Sequence, residues 1–178
     1  MTDARPLSTA ETPIVVMGVS GVGKTTIGVQ LAARLGVDFV DADDLHGPEN
    51  IAKMSAGIPL VDADRWPWLD LVGAALIAEP GAVVACSALR RSYRDRLRAT
   101  APETLFVHLA AAPERVALQA EARAGHFMPP ALLQSQIATL EPLEPDERGI
   151  TVIVDAGPEE LVDRIVHSLA GEREGSEK

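Results

Sequence analysis

Gly18-Val19-Ser20-Gly21-Val22-Gly23-Lys24-Thr25 fills every position of the pattern G-x-x-x-x-G-K-[S/T], and each residue type in it has a chemical use. Glycines let a backbone wrap closely around a phosphate with several N–H groups turned inward. A helix opening at Lys24 adds its positive dipole end. Lys24 brings a mobile charge to the β- and γ-phosphates, and the Thr25 hydroxyl, followed by Thr26, is a ligand for Mg²⁺. A glycine turn that binds nothing would need neither the lysine nor the threonine. The pattern therefore predicts a nucleotide site.

A second group of candidates is acidic. Asp41, Asp43 and Asp44 follow an apolar run, and strand alternation places Asp41 and Asp43 on one side, where both can reach a metal and an acceptor. Phosphoryl transfer needs a group that orients the acceptor hydroxyl and takes its proton, which a carboxylate does well. A solvated acidic loop, or a helix cap at Asp44, is the competing reading. An Asn/Thr-Lys-x-Asp guanine motif is absent, and the Asp-x-x-Gly matches at Asp44–Gly47 and Asp146–Gly149 are short enough to arise by chance. A small-molecule kinase fits better than a GTPase switch, motor or transporter.

These residues need a sheet edge to hold them. Ile14–Met17, Val37–Val40, Ala82–Cys86, Leu105–Leu109 and Thr151–Val154 read as short strands. Ile27, Leu31 and Leu35 recur at helical spacing before Gly36, and Leu161, Ile165 and Leu169 share a face within Pro158–Leu169. Strands alternating with helices imply an α/β fold with a doubly wound parallel sheet of about five strands. Residues 13–170 form one kinase domain in this reading, with an acceptor-binding insertion at 44–76 and a lid at 125–145. Residues 1–12 and 171–178 read as flexible polar tails.

Composition narrows the partners. The 178 residues carry 16 basic against 26 acidic side chains, a net charge of −10, which argues against nucleic acid and anionic membrane. The single cysteine, Cys86, excludes an internal disulfide and a cysteine zinc site. The N-terminus lacks the apolar stretch of a secretory signal, and no run reaches the roughly 20 apolar residues of a membrane span. A cytoplasmic protein is expected.

Further blocks extend the pattern: Asp43-Asp44-Leu45-His46, Asn50, Lys53-Met54, Asp64-Arg65, Pro67-Trp68-Leu69, Cys86-Ser87-Ala88-Leu89-Arg90-Arg91, Gly125-His126-Phe127-Met128-Pro129 and Leu133 through Glu141. In order and spacing they resemble the bacterial-type gluconokinase family, across nearly all of residues 14–148. The resemblance implies a phosphate-loop kinase that uses ATP and Mg²⁺ to phosphorylate the terminal hydroxyl of gluconate, and it suggests a homodimer. It favours Arg65 as a clamp on the substrate carboxylate, over an ion pair with Asp62 or Asp64. Asp43 is expected to orient and deprotonate the acceptor hydroxyl, with Asp41 at the Mg²⁺ water shell. His46 and Arg90 are expected to face the substrate, and His126 to bond a gluconate hydroxyl or pack in the lid.

Related kinases carry two arginines four residues apart ahead of the lid. Here the second is Arg123, expected on the phosphates, but the first position holds Gln119. Both should face the nucleotide, with a weakened grip on the base because glutamine lacks a stacking cation. If Gln119 faces solvent, a residue near the loop before Thr151 holds the base instead. Other residues have plain structural readings. Lys53 reads as a solvated charge with a site role left open, one of Trp66 and Trp68 as core with a wall for the sugar chain as the lesser reading, Cys86 as a buried strand residue, and Ser87 as a helix cap in preference to a substrate contact. Arg90, Arg91, Arg94, Arg96 and Arg98 read as a helix face. A shikimate-type kinase and a catalytically silent nucleotide-binding regulator remain the alternatives.

Overall fold

The computed structural model describes residues 11–122 and 129–175, with side chains described as far as Gly171. The short apolar runs become the centre of a sheet. β1 (Ile14–Met17) is buried along its whole length. It pairs in parallel with β3 (Val83–Ala85) on one side and β4 (Leu105–Ala110) on the other, Ile14 lying opposite both Val83 and Leu105. β2 (Phe39–Asp41) and β5 (Gly149–Ile153) form the edges, giving the order β2-β3-β1-β4-β5. Strands covered by helices on both faces must be apolar on both, which is why they read as β-branched runs and not as alternation.

Seven α-helices complete the described residues: α1 (Lys24–Leu35), α2 (Pro48–Ser55), α3 (Asp62–Ala78), α4 (Arg91–Thr100), α5 (Pro113–Ala122), α6 (Pro130–Thr139) and α7 (Pro158–Gly175). The β1–α1–β2 crossover runs toward one edge and β3–α4–β4 toward the other, so right-handed connections put α1 and α4 on opposite faces. α1 packs against α7, and α3 against α4. The reversal of direction opens a crevice at the carboxyl ends of β1 and its neighbours, the usual ligand position in such sheets. No described helix is long and apolar enough to cross a membrane.

Several boundaries differ from expectation for local reasons. β2 begins at Phe39 and not Val37, because Val37 N–H closes the end of α1 on Ala32 O (3.1 Å) beside left-handed Gly36. β5 starts at Gly149, where the backbone runs so close to Phe106 O that a side chain would collide with it. α7 continues through Gly175, into the segment expected to be a tail, since adding residues to an existing helix costs little. Thr12 is buried, so ordered packing begins before residue 13. The expected lid segment contains α6, anchored by buried Leu132 and Leu133.

The return from α6 to β5 is fixed by a buried charge network. Arg94 on α4 is wholly buried and forms a two-pronged pair with Glu147, at 2.7 Å through Nε and 2.8 Å through Nη2. Its remaining N–H groups reach the carbonyls of Ala88 (3.0 Å), Glu141 (3.0 Å) and Pro142 (3.2 Å). Burial pushes the Glu147 carboxyl up, but the hydrogen bonds from Arg94, Glu144 N–H and Arg98 prevail and hold it at about 2. The unfolded chain takes up this proton near its ordinary value of 4.5. The pair's contribution is therefore complete above that value and is lost as the pH falls toward 2. Glu147→Gln, which leaves Arg94 buried without a counter-charge, is expected to cost roughly 3–5 kcal/mol at neutral pH. Urea titrations should also show a flatter acid limb than the wild type between pH 4.5 and 2.

Candidate active site

The phosphate loop is a tight turn between β1 and α1. Gly18, Gly21 and Gly23 take φ of 146°, 82° and 106°, values that L side chains rarely adopt. At Gly18 there is also no room, because a Cβ would sit 2.9 Å from Leu109 O. Val19 and Val22 anchor the loop in the core. Gly23 stands at the N-cap of α1 without a side-chain cap, so the first N–H groups of the helix are left for an anion. Lys24 lies across the loop, its Nζ donating to Val19 O at 3.0 Å. The Thr25 hydroxyl donates to Asp41 Oδ2 at 2.8 Å, while Asp41 Oδ1 accepts from Asp43 N–H at 3.0 Å. One carboxylate thus ties the threonine of the loop to the turn after β2.

That turn is a short 3₁₀ segment, Ala42–Leu45, so Asp43 reaches its place by a helical turn and not by strand alternation. Asp41 serves as its N-cap. Beside it lies a cavity of about 160 Å³ whose walls include Lys24, Asp43, His46, Arg65, Trp68 and Gln136. His46 is buried and stacks on Trp68, ring centroids 4.2 Å apart. Asn50 Nδ2 donates to Asp64 O (3.1 Å) and lies 3.2 Å from His46 Nδ1, which leaves the His46 proton on Nε2. Burial holds the imidazole below its usual range, with Asp43 opposing and Arg65 reinforcing the shift. His46 is therefore a neutral donor at neutral pH. Trp68 is both core and cavity wall, and its indole N–H donates to Ala42 O at 2.7 Å.

Arg65 is held by Tyr93. Its Nη1 donates to the Tyr93 hydroxyl (3.1 Å), which in turn donates to Asp62 Oδ1 (2.5 Å). Asp64 instead takes Lys53 at 2.6 Å, so Lys53, though partly exposed, ties α2 to α3. Both acids that might have neutralised Arg65 are engaged elsewhere. No carboxylate lies within ion-pair distance of it among the described residues. Arg90 does not line the cavity; it stands 3.6 Å from Asp62 and over the Tyr93 ring. Ser87 is a cavity residue and not a cap. The N-terminus of α4 is served from outside by Glu141, whose Oε2 accepts from Arg91 N–H at 2.7 Å. Ala88, at φ 43°, makes the turn that aims this segment. Cys86 is buried, and burial pushes its thiol up to about 12, which excludes a nucleophilic role.

A second, open groove of about 590 Å³ runs along the other side of the phosphate loop, lined by Thr26, Arg115, Gln119, Asp155 and Gly157. α5 passes close to Gly21, which brings its Gln119 face to the groove. The opposite wall comes from the segment after β5, Val154–Pro158, and not from the loop before Thr151. Arg115, one helical turn before Gln119, was not singled out in the sequence although the i, i+4 rule points to it. Gln136 was also missed. Arg123 and His126 lie outside the described residues.

With a guanidinium already in this groove, Arg115→Ala is expected to weaken binding of a nucleoside triphosphate several-fold in calorimetry. Gln119→Arg should then strengthen it by less than the two- to tenfold a missing cation would predict. Equal affinity of Arg115→Ala and wild type would place the base elsewhere.

The shikimate kinase family model matches residues 20–148. A gluconokinase of Gluconobacter oxydans is 45% identical over 163 residues, spanning 89% of this chain and 92% of that protein. The crystal structure of a gluconokinase from Sinorhizobium meliloti 1021 has a TM-score of 0.86 at 46% identity, covering 93% of this chain and 95% of that one. A shikimate kinase from Acinetobacter baumannii, solved in complex with shikimate, has a TM-score of 0.61 at 16% identity and shares the fold alone. Similarity of this extent means that the chain belongs to the gluconokinase family of shikimate-kinase-like phosphate-loop kinases.

Proposed function

We propose that this protein transfers the γ-phosphoryl group of ATP to the terminal hydroxyl of gluconate, giving 6-phosphogluconate. The observation that carries the reading is the cavity itself, where Arg65, without an ion-pair partner among the described residues, shares walls with Lys24 and Asp43. An acceptor that bears a carboxylate at one end and a hydroxyl at the other suits that arrangement. The guanidinium binds the carboxylate in two-pronged fashion, and the polyol between spans to the phosphate loop. His46 Nε2–H and the Trp68 ring give the polyol one donor and one apolar face.

Each step falls to a named side chain. The acceptor oxygen bonds to phosphorus as the bond to the ADP oxygen breaks, and the hydroxyl proton passes to the Asp43 carboxylate. Lys24 and the N–H groups of the loop stabilise the charge on the transferred group. Thr25 and Asp41, already hydrogen-bonded to each other, are the residues that would hold Mg²⁺ and its waters. An ion of this kind takes most of its ligands from phosphates and water. Bound there, Mg²⁺ supplies neutralising charge to the phosphate oxygens.

A coupled ADP-release assay over gluconate, shikimate and other sugar acids tests the reading, with turnover expected on gluconate. Tight ATP binding with no turnover on any acid would favour a regulator instead. Asp43→Asn should lower kcat by about 10²–10⁴-fold with little change in ATP affinity. Arg65→Ala should raise the KM for gluconate by about 10–100-fold, leave the KM for ATP unchanged, and be only partly rescued by lysine. Equal losses for both substrates in Arg65→Ala would mean a damaged fold and no carboxylate clamp.

A further inference from the structure

Helix α6 lies over the phosphate loop and delivers Gln136 to the boundary between the two substrate sites. Gln136 Oε1 accepts a hydrogen bond from Ser20 N–H at 2.7 Å, and the same side chain lines the acceptor cavity with Lys24, Asp43 and Arg65. A backbone N–H can only donate, so it selects the carbonyl end of the carboxamide. The amide plane is thereby fixed, and the NH₂ end, with two donors, has no hydrogen-bond partner among the described residues. The buried pair Leu132 and Leu133 anchors the helix one turn earlier, so the side chain is delivered from a rigid element.

We propose that Gln136 is an acceptor-aligning residue. Its NH₂ group donates to a hydroxyl oxygen of the polyol, while Ser20 N–H keeps it registered to the phosphate loop. The inference rests on the proposed function and adds a contact that reads the acceptor and the nucleotide loop through one side chain. Neutrality suits the position. A cation here would compete with Lys24 for phosphate, and a carboxylate would repel the transferred group. An aliphatic side chain would leave polyol oxygens without a donor, the situation in which polar sites discriminate most strongly.

The test uses the full chain in the gluconate assay together with calorimetric ATP binding and thermal unfolding. Gln136→Leu should lower kcat/KM for gluconate by about 30–100-fold while ATP affinity stays within twofold and the unfolding midpoint is unchanged. Gln136→Glu keeps an acceptor for Ser20 N–H but loses the donor, and is expected to be at least as impaired in kcat. ATP affinity that falls in parallel with turnover would make Gln136 a strut of the phosphate loop and overturn the proposal. So would activity of Gln136→Glu equal to wild type, or a loss in both variants that tracks a lowered midpoint. A wild-type protein that fails to turn over gluconate overturns the functional reading, and this inference with it. An active wild type with unimpaired Gln136 variants overturns this inference alone.

Discussion

The buried pairing of Arg94 with Glu147 is the constraint on which the arrangement of the site depends. Two unit charges removed from water are costly unless every donor and acceptor is met. Here the guanidinium meets two carboxylate oxygens and carbonyls from two separate loops. Those carbonyls belong to the Ser87–Leu89 turn and to the chain leaving α6, so one side chain joins the segment behind the acceptor cavity to the segment above it. Glu141 adds a second tie, its N–H donating to Leu89 O at 2.7 Å while its carboxylate serves the start of α4. The pose of α6 over the phosphate loop follows from these bonds and from its two leucines.

The same network explains how a chain of net charge −10 presents cations to anionic substrates. Of the arginines on and before α4, Arg91, Arg94, Arg96 and Arg98 are matched to acids of the protein itself. Arg65 is matched to a phenol, which orients a guanidinium without neutralising it. Location of charge, and not its total, sets the affinity for anions at the site. The walls of the cavity carry Lys24 and Arg65 although acidic side chains outnumber basic ones over the whole chain.

Much of this was legible in the sequence because it is local. Gly18 through Thr25 names its own backbone geometry, and the apolar runs of β1, β3 and β4 need only burial on two faces to be read as parallel strands. Asp41 meets the loop through Thr25, and Asp43 comes to the cavity wall beside Lys24 by a 3₁₀ turn and not by strand alternation. What escaped was non-local. Ser87 looks like a cap because serine usually is one, and only the fold shows Glu141 arriving at Arg91 from 50 residues away. Gln136 lies inside the Leu133–Glu141 block, yet nothing local marks it as a site residue, since its partner is a backbone N–H 116 residues distant. Arg90 and Arg94 are alike in sequence, yet one borders a tyrosine ring and the other is sealed in the interior.

Cys86 gives the molecule an internal reporter. Burial pushes the thiol up to about 12, so the reactive thiolate is scarce at neutral pH. Cys86 directly follows β3, an inner strand of the sheet, and is buried. Thiol-directed reagents therefore find no reactive cysteine until that strand separates from its neighbours, when the thiol recovers ordinary reactivity. The rate of modification of this one thiol counts openings of the sheet.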